Sequence, residues 1–290
     1  MYAPVLNVEA CFRAVHCVSM PDGPVEHNHR TCLTAGQNLP KISLRFLPGT
    51  LTNAGERRLN SMNLTNNHGR IGHGDINGKD LWRELGLDKN GRIVVRATPR
   101  VGATDISSIA DLCAPGGAKL GSLGQNYQFA LTSGAINVDL RVTLIADAGQ
   151  SLTMGDTQEG FLGLRLADQF RQDRGAVLMN SDGLKTTEKI WAKRGLWVDY
   201  STVKDGKGVG ITILDHPSNP HHPPYWHARG YGFNAANPFG ALDFSGDKAL
   251  NGSLEIPTGE KVLFRYRVLI HDGMGTMDQI VAWYDLYIRE

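Results

Sequence analysis

Hydrophobic and polar residues alternate along much of the chain after residue 91, which is the pattern of half-buried β-strands. Shorter alternating runs occupy 92–98, 196–200, 209–213 and 264–270. The clearest run is 135–146, whose apolar positions fall on one face: Ile136, Val138, Leu140, Val142 and Leu144. Asn-Gly pairs at 77–78, 90–91 and 251–252 predict hairpin turns, because both positions tolerate positive φ. The pattern predicts an all-β protein, mainly an antiparallel β-sandwich.

A helical pattern replaces this alternation at the C-terminus. Thr276 and Gln279 have the spacing of a capping box, and apolar residues follow at helical intervals. This stripe comprises Met277, Ile280, Val281, Tyr284 and Tyr287. We expect an amphipathic C-terminal helix that closes the domain. Residues 182–194 are expected to form either a short helix or an irregular loop.

Residues 1–66 show no clear alternation and hold three of the four cysteines. We therefore divide the chain into an atypical N-terminal segment, 1–66, and a single β-sandwich domain, 67–290. The segment is expected to be disordered or mistranslated, through a frameshift or a wrongly assigned start. It contains residue types that bind zinc, although their spacing matches no zinc motif; they are Cys11, Cys17, His27, His29 and Cys32.

Composition narrows the classes of function. The 30 basic and 29 acidic residues give a net charge of +1, which argues against a nucleic-acid partner. The sequence has no apolar run of about 18 residues, so no membrane span is predicted. It shows no secretory signal, and a cytoplasmic location is expected. The 34 glycines are not periodic, and many mark turns around the polar motifs described next.

The densest chemistry lies between residues 209 and 240, which hold four of the ten histidines and five of the thirteen prolines. Prolines stiffen this loop, as a preformed polar site requires. His216 and His227 are candidates for acid–base catalysis. Candidate substrate-binding residues here provide rings, amides, imidazole and guanidinium: Asn219, His222, Trp226, Arg229, Tyr231 and Asn237. Alternatively, His216, His222 and His227 converge on a divalent metal, or the segment is an ordinary proline-rich turn.

Three shorter motifs carry further polar groups. In the segment 155–165, Glu159 is a candidate general acid or base and Arg165 would tune its charge and contact substrate. The segment 73–82 adds the candidate binding residues His73, Asp75 and Asn77, and the segment 191–197 adds Lys193. Each motif has a plain alternative as a turn or a surface group.

These motifs resemble a bacterial family of unknown function whose members are often labelled "methane oxygenase PmoA". The resemblance rests on HGDINGKDLW, GDTQEGFLGLRLA, WAKRGLWVDY and the long block Gly208–Gly240, with FRYRVLIHDG as a further match. It covers roughly residues 73–290, and it implies a soluble β-sandwich with a role in carbohydrate metabolism rather than a membrane oxygenase. By analogy, the fold it implies is the large sandwich of aldose mutarotases.

The leading functional hypothesis is a sugar-processing enzyme with a small carbohydrate as substrate. It would be an epimerase or mutarotase, or a lyase or hydrolase acting on an oxidised sugar, with Glu159 paired to His216 or His227. The alternatives are a non-catalytic carbohydrate-binding module, a metal-dependent enzyme, and a degenerate, inactive family member. Substrate, metal dependence and oligomeric state stay open at this stage.

Overall fold

The computed structural model describes residues 45–46, 68–83, 89–132 and 134–290. The segment 1–66, with its cysteine and histidine zinc candidates, lies outside these residues apart from the strand Arg45–Phe46. The domain division at residue 66 therefore stays a prediction.

Within the described residues, the larger of two packed sheets has nine strands and is antiparallel throughout. Its strands are β3 (Arg92–Val95), β4 (Arg100–Val101), β5 (Asp105–Cys113), β6 (Lys119–Thr132), β7 (Ala135–Ile145), β10 (Val177–Asn180), β11 (Trp197–Lys204), β12 (Lys207–Asp215) and β16 (Lys261–Asp272). Their order in the sheet is β10-β11-β12-β16-β7-β6-β5-β3, and β4 also pairs with β5. All the strands predicted from alternation lie in this sheet.

A smaller sheet packs against the first, with the order β1-β2-β9-β14-β13 among the described strands. Its members are β1 (Arg45–Phe46), β2 (His68–His73), β9 (Gly160–Arg165), β13 (Tyr225–Trp226) and β14 (Phe233–Asn237). Two further strands, β8 (Leu152–Met154) and β15 (Leu254–Ile256), pair with each other. The predicted antiparallel β-sandwich is confirmed.

Aromatic rings fill the space between the two sheets. Phe161 of the small sheet lies 4.9 Å from the ring of Phe264 and 6.5 Å from that of Tyr266, both in the large sheet. Phe239 completes the group, 5.3 Å from Phe161 and 5.6 Å from Phe264. Phe161, Phe239, Phe264 and Tyr266 are each at most 1% exposed, so this layer is the core on which both sheets rest.

The predicted C-terminal helix is confirmed as α3 (Met277–Tyr287), and the short helix expected within 182–194 is α1 (Thr187–Ile190). A third helix, α2 (Ala241–Ser245), follows β14. The helix α3 covers the side of the large sheet that faces away from the small sheet, where Ile280 and Tyr284 pack with Trp197 and Leu269. Val281, which we expected in its buried stripe, is 40% exposed.

Only the first Asn-Gly pair makes the predicted hairpin turn. Asn77 and Gly78 both have positive φ, and Lys79 N–H donates to Ile76 O across the turn. The other two glycines serve close packing instead. A Cβ at Gly91 would clash with the Leu81 side chain, and one at Gly252 would lie 2.8 Å from Phe239 O.

His73 ends β2 inside the sandwich, fully buried rather than open to a ligand. Its Nε2 is 2.7 Å from Gly155 O, and its ring meets Phe239 edge-on at 5.0 Å. Its Nδ1 has no hydrogen-bond partner in the described part of the chain. Burial lowers the pKa of His73 from 6.5 to about 4, and the Gly155 carbonyl offsets this only in part.

The N-cap of α3 gives a first testable prediction. The Thr276 side chain accepts a hydrogen bond from Gln279 N–H at 3.4 Å. Replacing this acceptor by Thr276→Ala should lower the free energy of unfolding by about 1 kcal/mol. Thr276→Ser keeps the hydroxyl and should match the parent protein in urea denaturation. Equal stability of the Ala and Ser variants would show that the cap contributes nothing.

His73 gives a second prediction, on the pH dependence of stability. Its folded pKa lies below its unfolded value, so the unfolded chain binds the proton first as pH falls from 6.5 to about 4. Stability is therefore lost in that window, on the order of 3 kcal/mol from this group. Urea denaturation across the window should show a shallower loss for His73→Gln than for the parent. The matched control His221→Gln removes an exposed histidine whose Nδ1 lies 2.9 Å from Pro238 O, and an equal slope in both variants would contradict the prediction.

Candidate functional site

The outer face of the small sheet gathers the most polar and aromatic chemistry among the described residues. Along β9, Leu162 and Leu164 point into the core, so Arg165 points outward. Phe233 of β14 lies directly opposite Arg165 in the antiparallel register and shares its side of the sheet. We call this surface the outer face.

His227 lies in the outer face with 5% of its surface exposed. It directly follows β13, and its neighbours Trp226 and Ala228 belong to the core, so its ring is directed outward. Its Nδ1 lies 2.9 Å from the carbonyl oxygen of Gln158. A neutral imidazole that donates from Nδ1 leaves Nε2 as an acceptor. Nε2 has no hydrogen-bond partner in the described part of the chain.

The electrostatic surroundings of His227 favour this neutral form. Burial lowers its pKa below the usual value of 6.5, and the charge of Arg229 lowers it further. The Gln158 carbonyl and the charge of Glu159 act in the opposite direction without cancelling the effect. At neutral pH, His227 is therefore an uncharged ring equipped to accept a proton.

Glu159 comes directly after the residue that holds His227. Its backbone carbonyl accepts a hydrogen bond from Gly74 N–H at 2.7 Å, which fixes it to the end of β2. Its Oε1 is 3.1 Å from a guanidinium nitrogen of Arg83, which also pairs with Asp80 at 3.0 Å. One loop thus delivers both a carboxylate and the carbonyl that orients the imidazole.

Aromatic rings surround these polar groups. Phe233 meets His227 edge-on at 5.5 Å and Trp82 at 5.9 Å, and Tyr231 stacks on it at 6.5 Å. Phe244 also meets the His227 ring edge-on, at 6.0 Å. Phe233 remains partly exposed and Tyr231 is 40% exposed, so flat apolar surface is open to a ligand beside the imidazole.

Two guanidinium groups lie against these rings. Arg165 lies 4.6 Å from the centre of the Tyr231 ring and 5.2 Å from that of Phe233. Arg229 lies 4.9 Å from the centre of the Trp191 ring. Neither guanidinium has a carboxylate within salt-bridge distance among the described residues. The outer face therefore carries positive charge as well as apolar surface.

A core residue of the large sheet holds the turn that carries Arg229 and Tyr231. The hydroxyl of Tyr200, in β11, lies 2.9 Å from Phe233 O and 3.1 Å from Arg229 O, and its one proton is shared between these two carbonyls. Tyr200 is fully buried, so this contact links the core directly to the outer face.

His216, the other predicted acid–base histidine, lies elsewhere. It follows β12 and is in contact with α3, where its ring meets Tyr287 edge-on at 5.2 Å. Its Nδ1 lies 2.7 Å from the Ser218 hydroxyl, and burial lowers its pKa. It lines a small cleft together with Arg265 and Glu290, on the helix-covered side of the large sheet. The structure does not bring His216 together with Glu159.

His222 and Asn219 both bind Asp215 at the end of β12. His222 Nδ1 is 2.5 Å from one carboxylate oxygen, and Asn219 Nδ2 donates to the other at 2.7 Å. Burial raises the pKa of Asp215. Asn219 also bonds the backbone of Arg265 through both its amide atoms, at 2.7 Å each. These contacts tie the proline-rich loop to the large sheet.

Five other predicted binding residues make internal or solvent contacts. Asp75 accepts a hydrogen bond from Gly78 N–H in its own turn, and Asn77 bonds the backbone of Ser151 and Thr153. Trp226 is fully buried and donates to Gly195 O. Asn237 is also buried and donates to Thr157 O, whereas the Lys193 side chain is exposed. Of the sequence-predicted set, the structure groups Glu159, Arg165, His227, Arg229 and Tyr231 on the outer face.

Several residues of the outer face were not predicted from the sequence. Phe233 contacts four other members of the face, Gln158 orients His227 through its carbonyl, and Arg83 pairs with Glu159. Phe233 lies beside Arg165 through the pairing of β9 with β14, which a sequence pattern does not reveal. The pairing of Arg83 with Glu159, 76 positions apart, has no sequence signal.

The described residues show neither a metal-binding cluster nor a membrane-spanning helix. No group of three or more histidine, cysteine, aspartate or glutamate side chains there is arranged to hold a metal ion, so His216, His222 and His227 do not converge. None of the helices in that part of the chain has both the length and the apolar character needed to cross a bilayer.

Similarity to solved structures is weak. A protein from Synechocystis has 9% identity and a TM-score of 0.34, over 69% of this chain and 75% of that one. A galactose mutarotase related enzyme from Lactobacillus acidophilus has 11% identity and a TM-score of 0.32, over 69% and 80%. A galactose mutarotase-like protein from Clostridium acetobutylicum has 9% identity and a TM-score of 0.29, over 64% and 68%. Similarity at this level assigns no activity.

Sequence comparison gives the family. A comparison with curated proteins finds no match. A family model, however, matches residues 70–284, which is most of the chain and includes every residue of the outer face named above. The protein belongs to the family of unknown function DUF6807.

Proposed function

We propose that this protein is an acid–base enzyme that acts on a small carbohydrate at the outer face. The observation that carries the proposal is the contact between His227 Nδ1 and Gln158 O, in the residue next to Glu159. It leaves a neutral imidazole with an accepting Nε2, and the carboxylate of Glu159 is near enough for its charge to act on the pKa of His227. A base and a second proton carrier on one face are the groups needed to move protons at a sugar carbon or oxygen.

The surrounding rings support a carbohydrate as the substrate class. Phe233 and Tyr231 offer flat apolar surface, on which the C–H face of a sugar ring can stack, and the nearby guanidinium groups can bond its oxygens. In this proposal His227 removes a proton and Glu159 carries one to or from the opposite side of the bond being changed. The reaction is an epimerisation, mutarotation, elimination or hydrolysis, which all use these two steps.

A panel of aldoses, keto-sugars and sugar acids, followed by proton NMR in D2O, tests the proposal. This readout detects anomer exchange, hydrogen exchange at carbon, and cleavage in one experiment. His227→Gln and Glu159→Gln should each lower kcat/KM by roughly 10²- to 10⁴-fold, as expected for loss of an acid–base group. Both variants should keep the circular dichroism spectrum of the parent.

Matched controls are His221→Gln and Glu255→Gln, which change exposed residues and should retain activity. Unchanged turnover in Glu159→Gln would remove Glu159 from the mechanism. Loss of turnover in His216→Gln but not in His227→Gln would overturn the choice of base. Sugar binding without turnover in calorimetry would instead favour the non-catalytic binding module.

The pH profile gives an independent prediction. The neutral form of His227 is the active one, so kcat/KM should fall as pH drops through its pKa, which lies below 6.5. Arg229→Gln removes a positive charge that lowers this pKa, so the acidic limb should move to higher pH. Arg100→Gln changes a largely exposed arginine and should leave the limb in place. An acidic limb unmoved in Arg229→Gln would contradict the assignment of His227.

A further inference from the structure

We infer that the sugar bound on the outer face is a sugar acid whose carboxylate binds Arg165. The inference rests on the proposed function and narrows its substrate class. It starts from a charge that the protein itself leaves uncompensated, at one side of the surface that holds His227 and Glu159.

Arg165 differs from the paired arginines of the chain in having no acidic partner among the described residues. Arg83, Arg174 and Arg267 each lie within 3.1 Å of a carboxylate oxygen. The groups that act electrostatically on Arg165 are the phenol groups of Tyr231 and Tyr200, which are neutral at ordinary pH. The positive charge of Arg165 is therefore not balanced locally.

This guanidinium is also partly withdrawn from water. Its Nη1 is enclosed and has no hydrogen-bond partner in the described part of the chain, although the residue as a whole stays partly exposed. Burial lowers the pKa of Arg165, but a guanidinium keeps its proton at any ordinary pH. A half-buried charge without a counter-ion is costly, and an anion that reaches its open side offsets that cost.

The position of Arg165 suits a substrate that spans the face. The Phe233 ring contacts both ends of the site, with its centre 5.2 Å from the Arg165 guanidinium and 5.5 Å from the centre of the His227 ring. A carboxylate on Arg165 therefore places the attached sugar ring over Phe233 and its carbons toward the imidazole. Tyr231 holds the guanidinium from the other side at 4.6 Å.

The chemistry favours a carboxylate over a phosphate. A planar guanidinium matches a carboxylate through two parallel hydrogen bonds. A phosphate monoester carries about two negative charges, and sites for it gather several donors, often at a helix N-terminus. The side chains described in contact with Arg165 are the rings of Tyr231 and Phe233, and its electrostatic neighbours are the hydroxyls of Tyr231 and Tyr200.

Isothermal titration calorimetry of the full chain tests the inference with three hexuronates: D-glucuronate, D-galacturonate and D-mannuronate. Each is compared with its parent hexose and with the hexose 6-phosphate. We expect at least one hexuronate to bind tenfold or more tightly than its hexose. Arg165→Gln should weaken that hexuronate roughly 10- to 100-fold, the usual effect of losing a charged hydrogen bond, and leave the hexose unchanged.

Two variants keep this result interpretable. Arg165→Lys retains the charge without the fork, so its affinity for the hexuronate should lie between those of the parent and Arg165→Gln. If Arg165→Gln fails to fold, weaker hexuronate binding by Arg165→Lys than by the parent, with hexose binding unchanged, still supports the inference. Arg174→Gln removes an exposed arginine paired to Asp168 and should bind as the parent does. Equal affinity for hexose and hexuronate in the parent, or tighter binding of the 6-phosphate, would overturn the inference while leaving the proposed function intact. Failure of the parent to bind or convert any sugar would overturn both.

Discussion

Packing of the β9 strand against the large sheet sets the position of every group on the outer face. Leu162 and Leu164 of β9 fill the core between the two sheets. Because side chains alternate along a strand, the residues that fill the core also decide that Arg165 faces outward. A slip of one residue in register would bury the guanidinium and expose leucine, which makes the observed register strongly preferred.

Periodicity made the large sheet and the C-terminal helix predictable. The run 135–146 became β7, with Val138, Leu140 and Val142 in the core, and the capping box at Thr276 began α3. The Asn-Gly signal was less specific. It identified the turn at 77–78, whereas Gly91 and Gly252 are required by the close approach of neighbouring atoms, which a local motif does not reveal.

His216 and His227 are close in sequence, but this closeness could not predict that they lie on different sheets. His216 follows a strand of the large sheet and His227 follows a strand of the small one, so the proline-rich loop between them crosses from one sheet to the other. Counting polar groups in that loop favoured a single site. The pairing of strands separates the two histidines, and it joins His227 to Glu159, which lies 68 positions earlier in the chain.

The type of an aromatic residue likewise did not predict whether its ring faces the core or the outer face. Trp226 was expected to stack on a sugar, yet its place in the short strand β13 turns it into the core. Phe233, which carries no polar group and attracts no notice in the sequence, is the ring that contacts both Arg165 and His227. Strand direction, rather than residue type, decides which ring a ligand can reach.

The Tyr200 hydroxyl gives the site a dependence on residues that no ligand touches. It spans the sandwich from the large sheet to the carbonyls of Arg229 and Phe233, so the turn between them is anchored from inside the protein. Evolution can therefore adjust the outer face in two ways, by exchanging residues on the surface or by repacking the interior around β11. Changes of the second kind would move Arg229 and Phe233 without altering any residue of the outer face.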